Sequence, residues 1–99
     1  MFRYEIYLPL NFNDGSPVPQ VIFTAVKKEL VARFHGLTIL PNAGGWWRMG
    51  DKIYVDDIII YRVTCARDED MFFRQFKRRL TEIFKQEEIW VERLETRLI

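Results

Sequence analysis

The stretch Ile53–Cys65, IYVDDIIIYRVTC, decides the fold. Ile58-Ile59-Ile60 is β-branched and continuous, and the residues around it stay apolar at both parities. Ile60 points to one side, and Ile59, Tyr61 and Val63 point to the other. Because side chains alternate along a strand, this strand offers apolar groups to both faces of its sheet. Helices of so short a chain cover one face only. The simplest cover for the second is another copy of the chain.

Working outward, Phe2 to Leu10 alternates, with Phe2, Tyr4, Ile6 and Leu8 on one side and Arg3, Glu5 and Tyr7 on the other, as in a half-buried strand. Asn11 to Pro19 is dense in turn residues. Asp14-Gly15 lies at its centre, and Ser16-Pro17 reads as a helix N-cap followed by the first helical residue. From about Val18 to His35 the period lengthens, with Ile22, Val26, Leu30 and Phe34 every four residues, and Gly36 stands where a helix stops. Leu37 to Leu40 predicts a short second strand halted by Pro41-Asn42-Ala43-Gly44-Gly45 and resumed after a bend by Trp46-Trp47-Arg48. Met49 to Lys52 reads as a tight hairpin turn.

After Cys65, Asp68 is placed to cap a second helix, whose buried stripe is Phe73, Phe76, Leu80 and Ile83, widened by Phe72 and Phe84. Ile89 to Ile99 predicts a last strand, with Trp90, Leu94 and Leu98 on one face. The order β-α-β-β-α-β is the ferredoxin-like, split-βαβ arrangement of the α+β class. Right-handed crossovers put both helices on one face of a four-stranded antiparallel sheet, and the other face is expected to pair with a second copy.

Ninety-nine residues allow one domain, residues 1–99, with 48% hydrophobic and 29% charged residues, a composition that excludes a disordered chain. Eight Phe, four Tyr and three Trp are many for so small a core, so some line a cavity or an interface. A net charge of +1 gives the whole chain no nucleic-acid or membrane signature. The single cysteine, Cys65, reads as a small apolar residue in a reduced compartment. The opening MFRYEIYLPL has one basic residue and carries Glu5 in its apolar run, unlike a signal peptide. No apolar run reaches the roughly 18 residues that span a bilayer. A cytoplasmic protein is expected.

Gly36-Leu37-Thr38, Gly45-Trp46-Trp47 and Gln86-Glu87-Glu88-Ile89 form the pattern G-L-T … G-x-W … Q-E-x-[I/V]. It resembles a family of small bacterial domains of unassigned function. The layout is also similar to dimeric α+β barrel proteins, which pair two such sheets around a shared cavity. That resemblance implies a homodimer, and for some members a small aromatic or haem-like ligand. It carries over no catalytic residue, because this fold hosts many functions.

Several residues invite chemistry, each beside a plainer reading. His35, the single histidine, suits the negative end of the first helix, and no His/Cys/Asp/Glu spacing offers it metal partners. Neither a metal nor a cofactor is expected. Asp56-Asp57 interrupts an apolar strand on opposite faces, where a bend solvates both; the sharper reading makes Asp56 a base at a cavity mouth. Trp46-Trp47-Arg48 after two glycines is either packing or a ligand- or partner-facing wall.

Arg74, Lys77, Arg78 and Lys85 make the second helix basic, as a solvated face or as a phosphate-contacting stripe. The RNA-recognition signature is absent, with Ile58-Ile59-Ile60 in its place. Asp14, in a loop where some nucleases of related fold hold an acid, is explained by its turn.

The expected function is a self-associating binding or assembly module that contacts a protein partner through its sheet face and Trp46-Trp47-Arg48. A first alternative is a small-molecule binder or enzyme with a cavity lined by Tyr4, Tyr7, Trp47 and Tyr61, and with Asp56 or His35 as proton carrier. A second is a nucleic-acid binder using the basic helix.

Overall fold

A computed structural model describes all 99 residues. The chain forms β1 (Phe2–Pro9), α1 (Gln20–Phe34), β2 (Thr38–Met49), β3 (Lys52–Cys65), α2 (Asp70–Ile83) and β4 (Trp90–Glu95). The sheet is antiparallel throughout, in the order β2-β3-β1-β4. Both helices lie on one face, which is the ferredoxin-like α+β fold expected. No helix is long and apolar enough to cross a membrane.

The alternation of β1 sorts the layers. Tyr4, Ile6 and Leu8 are buried beneath the helices with Tyr61 and Val63 of β3, and they meet Phe23, Val26 and Leu30 of α1 and Phe73, Phe76 and Leu80 of α2. Tyr4 stacks on Phe73 with ring centroids 4.0 Å apart. Its hydroxyl, nearly inaccessible to water, donates to Asp70 Oδ1 at 2.6 Å and accepts the Glu69 N–H at 2.8 Å. One side chain thus ties the start of α2 to the central strand and satisfies a helix-end donor.

Local signals differ from the expectations in instructive ways. Ser16 caps no helix. Its N–H and hydroxyl both donate to Asp14 Oδ1, closing an Asx-type turn, and α1 begins at Gln20 behind Pro19. At the far end His35, not Gly36, takes the left-handed conformation (φ 65°) and returns its N–H to the Val31 carbonyl. Asp68 acts one residue early: α2 starts at Asp70, whose N–H donates to the Asp68 carboxylate at 2.8 Å.

The larger difference lies in β2. The strand does not halt at Pro41. It continues to Met49 with a single bulge between Leu40 and Ala43, at which Asn42 sits at φ 59°. Pro41 is tolerated because β2 is an edge strand. Beyond the bulge, β2 and β3 run on as a two-stranded arm closed by the expected turn, with Gly50 at φ 62°.

Candidate functional site on the open face of the sheet

Register decides which side chains share the face that the helices leave bare. β1 contributes Arg3, Glu5 and Tyr7, β3 contributes Thr64, Arg62, Ile60, Ile58 and, on the arm, Asp56 and Tyr54, and β4 contributes Trp90, Glu92 and Leu94. On β2 the bulge shifts parity by one, so that Thr38 and Leu40 are followed on this face by Ala43, Gly45 and Trp47.

Trp47 does not stand away from the strand. Its indole lies back over Gly45, and a Cβ at that glycine would come within 2.8 Å of the ring. Gly45 is therefore the space that admits the ring. In that position Trp47 reaches Trp90, with ring centroids 6.4 Å apart and planes tilted by 34°. The two indoles form an aromatic corner, with Tyr7 the cross-strand partner of Trp90.

Polar groups follow in the next row. The Tyr7 hydroxyl donates to Glu92 Oε1 at 2.8 Å. That bond to a carboxylate, followed by burial, pushes the Tyr7 pKa up to about 12. Glu5 stands directly opposite Glu92, and Arg62 bridges to Glu5 Oε2 at 3.2 Å. Two carboxylates thus face each other across β1 and β4, and one of them has a guanidinium.

The predicted cavity of Tyr4, Tyr7, Trp47 and Tyr61 is not assembled within the chain. Tyr4 and Tyr61 point to the helices and are core residues, 2% and 1% exposed, whereas Tyr7 and Trp47 lie on the opposite face. Residue parity along β1 and β3 separates them. Desolvation raises the Tyr61 pKa, and desolvation together with the Asp70 hydrogen bond pushes that of Tyr4 to about 12.

The string Trp46-Trp47-Arg48 likewise divides. Trp46 is 73% exposed on the other side of the arm, and Arg48 Nε donates to the Gly50 carbonyl near the arm tip. Asp56 pairs with Gly45 and Asp57 with Gly44, so the two carboxylates point to opposite faces. His35 lies exposed at the end of α1, before β2 begins, away from Asp56 on the arm.

Two basic residues of α2 meet acids, whereas Arg74 and Arg78 of the predicted stripe form no ion pair. Lys77 pairs with Glu88 at 2.8 Å and Arg79 with Glu29 at 2.6 Å. Arg74, Lys77 and Arg78 line a shallow groove of about 540 Å³ together with Glu82, Glu87 and Glu88, a mixed charge pattern unlike a phosphate track. Lys85 leaves the predicted stripe: it lies past the end of α2, at φ 54°, with its ammonium over the Phe12 ring. No group of three or more His, Cys, Asp or Glu side chains gathers at a point where a metal ion could bind.

Sequence reasoning singled out Tyr7 and Trp47 but not their partners Trp90, Glu92, Glu5 and Arg62. The signal available for these was parity, since Trp90 and Glu92 fall on the side of β4 away from Ile89 and Val91.

No protein-family model matches the chain, and no curated protein matches it in sequence. Solved structures do. A phage SAM lyase in complex with S-methyl-5′-thioadenosine superposes with a TM-score of 0.69 at 17% identity, covering 95% of this chain and 80% of that one. The same type of protein in its apo state gives a TM-score of 0.69 at 18% identity, over 95% and 79%. The divalent cation tolerance protein CutA1 of Thermus thermophilus gives 0.65 at 15% identity, over 97% and 84%. At these identities the likeness is one of fold.

Proposed function

We propose that this chain is a self-associating small-molecule-binding domain whose ligand lies on the open sheet face, against the Trp47–Trp90–Tyr7 corner, where a second copy closes over it. The observation that carries this reading is the corner itself. Two indoles from the two edge strands meet on the face the helices leave uncovered, beside Tyr7 in the central strand, and Gly45 provides the space that brings Trp47 there. Flat apolar walls with a few fixed polar groups are the ordinary composition of a small-ligand site.

The arm supports self-association. Trp46, Met49, Ile53, Tyr54 and Val55 are all more than 40% exposed, and two-stranded ribbons of this kind are marginal alone in water. Contact with another protein, the alternative use of such a surface, has no separate feature in its favour. For ligand class, the similar fold captured with S-methyl-5′-thioadenosine makes a nucleoside thioether the first probe, since an adenine ring matches an aromatic wall.

Native mass spectrometry together with a tryptophan-fluorescence titration of S-methyl-5′-thioadenosine tests the proposal. The expected result is an oligomer and a saturable quench that Trp47→Ala removes. A monomer at micromolar concentration, or a quench unchanged in Trp47→Ala, overturns it.

A further inference from the structure

We infer that the open-face corner recognises a ligand carrying a compact organic onium group, a quaternary ammonium or sulfonium centre, held between the aromatic rings and the Glu92 carboxylate. The inference rests on the reading of this face as the ligand wall and adds the charge of the ligand.

The charges of the face support it. Glu5 and Glu92 are cross-strand neighbours, an arrangement that destabilises a sheet unless cations neutralise it. Arg62 bonds to Glu5, whose side chain is only 12% exposed, so that half of the pair is balanced. Glu92 has the Tyr7 hydroxyl as its partner, a neutral donor that orients the carboxylate and leaves its charge in place. Arg3 stands one row further on, opposite Leu94 and Thr64, and Lys52 lies on this side of the arm at its tip, opposite Met49. Arg93, next in sequence to Glu92, is turned to the helix side and engaged by Asp68 and Asp70. Glu92, in the row next to Trp90, thus has no ion-pair partner, and neither has Asp56, which shares this face opposite Gly45.

The aromatic part selects the kind of cation. Trp47 and Trp90 are tilted to each other and only partly covered, with 40% and 49% of their surfaces exposed, so the pair is accessible to a ligand. Indole is the best side chain for cation–π attraction, and aromatic cages favour bulky, weakly hydrated onium groups over strongly hydrated ammonium or metal ions. Glu92 then supplies the formal counter-charge. A metal ion would need several oxygen ligands converging within one coordination shell, and Glu5 is already held by Arg62.

The test compares choline with 3,3-dimethylbutan-1-ol, which has the same shape but no charge. It is read by tryptophan emission and by the indole N–H signals of Trp47 and Trp90 in the intact oligomer at constant ionic strength. Saturable binding of choline about five- to tenfold tighter than of the alcohol is expected, the sum of an exposed cation–π contact and one carboxylate. Glu92→Gln, which keeps an acceptor for the Tyr7 hydroxyl, should reduce that preference to about twofold. Trp90→Ala should abolish the choline response.

Equal responses to choline and the alcohol, a choline response reproduced by KCl, or an unaltered preference in Glu92→Gln would each overturn the assignment. A choline preference without any nucleoside response would retain the onium site and reject the nucleoside class.

Discussion

Replacing Gly45 by Ala isolates the contact on which the site depends. The added Cβ would meet the Trp47 indole at 2.8 Å, closer than real side chains approach, and the far end of Trp47 is free to move. The ring should therefore swing off the strand while the backbone stays in place. With 40% of Trp47 exposed, its covered part is roughly 90–150 Å² of the 150–250 Å² that an aromatic side chain can bury. Loss of half that cover costs about 1–2 kcal/mol at ~25 cal/mol per Å². Alanine in place of glycine within a strand returns about 0.5–1 kcal/mol, because Gly45 has no positive φ to protect. The net expectation is a destabilisation of about 0.5–1 kcal/mol in urea unfolding, with an unchanged m-value. Tryptophan emission should shift to the red and the nuclear Overhauser contacts between Trp47 and Trp90 should disappear. Ligand responses on this face should weaken as strongly as in Trp47→Ala. A variant more stable than the parent with unchanged emission would refute the reasoning, since the indole would then not lie on Gly45. A loss above about 3 kcal/mol would refute it differently, by showing a ring locked in place and an overpacked site.

Tyr4→Phe should cost about 1–3 kcal/mol, because it strips an acceptor from the Glu69 N–H and a donor from the Asp70 carboxylate at a buried position; thermal unfolding measures this. Tyr4 and Tyr7 are each held near pKa 12 against an ordinary 10, so the folded chain keeps its phenolic protons longer than the unfolded one. Their contribution is complete below pH 10 and is lost as pH rises from 10 through 12, and Tyr4→Phe should flatten part of that decline in urea titrations at stepped pH. Phe73→Ala removes a ring stacked on Tyr4 at a site 3% exposed and should cost about 3–5 kcal/mol by chemical denaturation. Trp46→Asp with Val55→Asp places two charges on the exposed arm; native mass spectrometry should show smaller assemblies, and circular dichroism an unchanged fold.

Much of the fold was legible because the period of apolar residues changes sharply along the chain. Alternation over Phe2–Leu10 placed Tyr4, Ile6 and Leu8 under the helices, and the double-sided Ile58-Ile59-Ile60 run marked a central strand. Helix ends were less legible, since several residues compete for the same backbone groups. Ser16 could have capped α1, but Asp14 lies two residues away and captures both of its donors. β2 was misread for a related reason. Pro41 and the two glycines look like a strand break, yet an edge strand needs no N–H on its outer side, and one extra residue at Asn42 absorbs the proline without ending the ladder.

That bulge also explains why the site itself stayed hidden. Had β2 kept its parity, Leu40 would share a face with Trp46, and Trp47 would point away from Trp90. One inserted residue reverses this, turning Trp47 to the open face and Trp46 to the other, so the direction of two adjacent tryptophans depends on the conformation of Asn42, φ 59°. The remaining corner residues depend on pairing rather than pattern. Tyr7 and Trp90 are far apart in sequence and meet because β1 and β4 align Tyr7 with Trp90 and Glu5 with Glu92. Alternation assigns each residue to a face, but only strand order and register assign it a neighbour. The aromatic residues were visible one at a time. The carboxylate beside them acquires meaning from the single cross-strand row that leaves Glu92 facing Glu5 and gives the guanidinium of Arg62 to Glu5 alone.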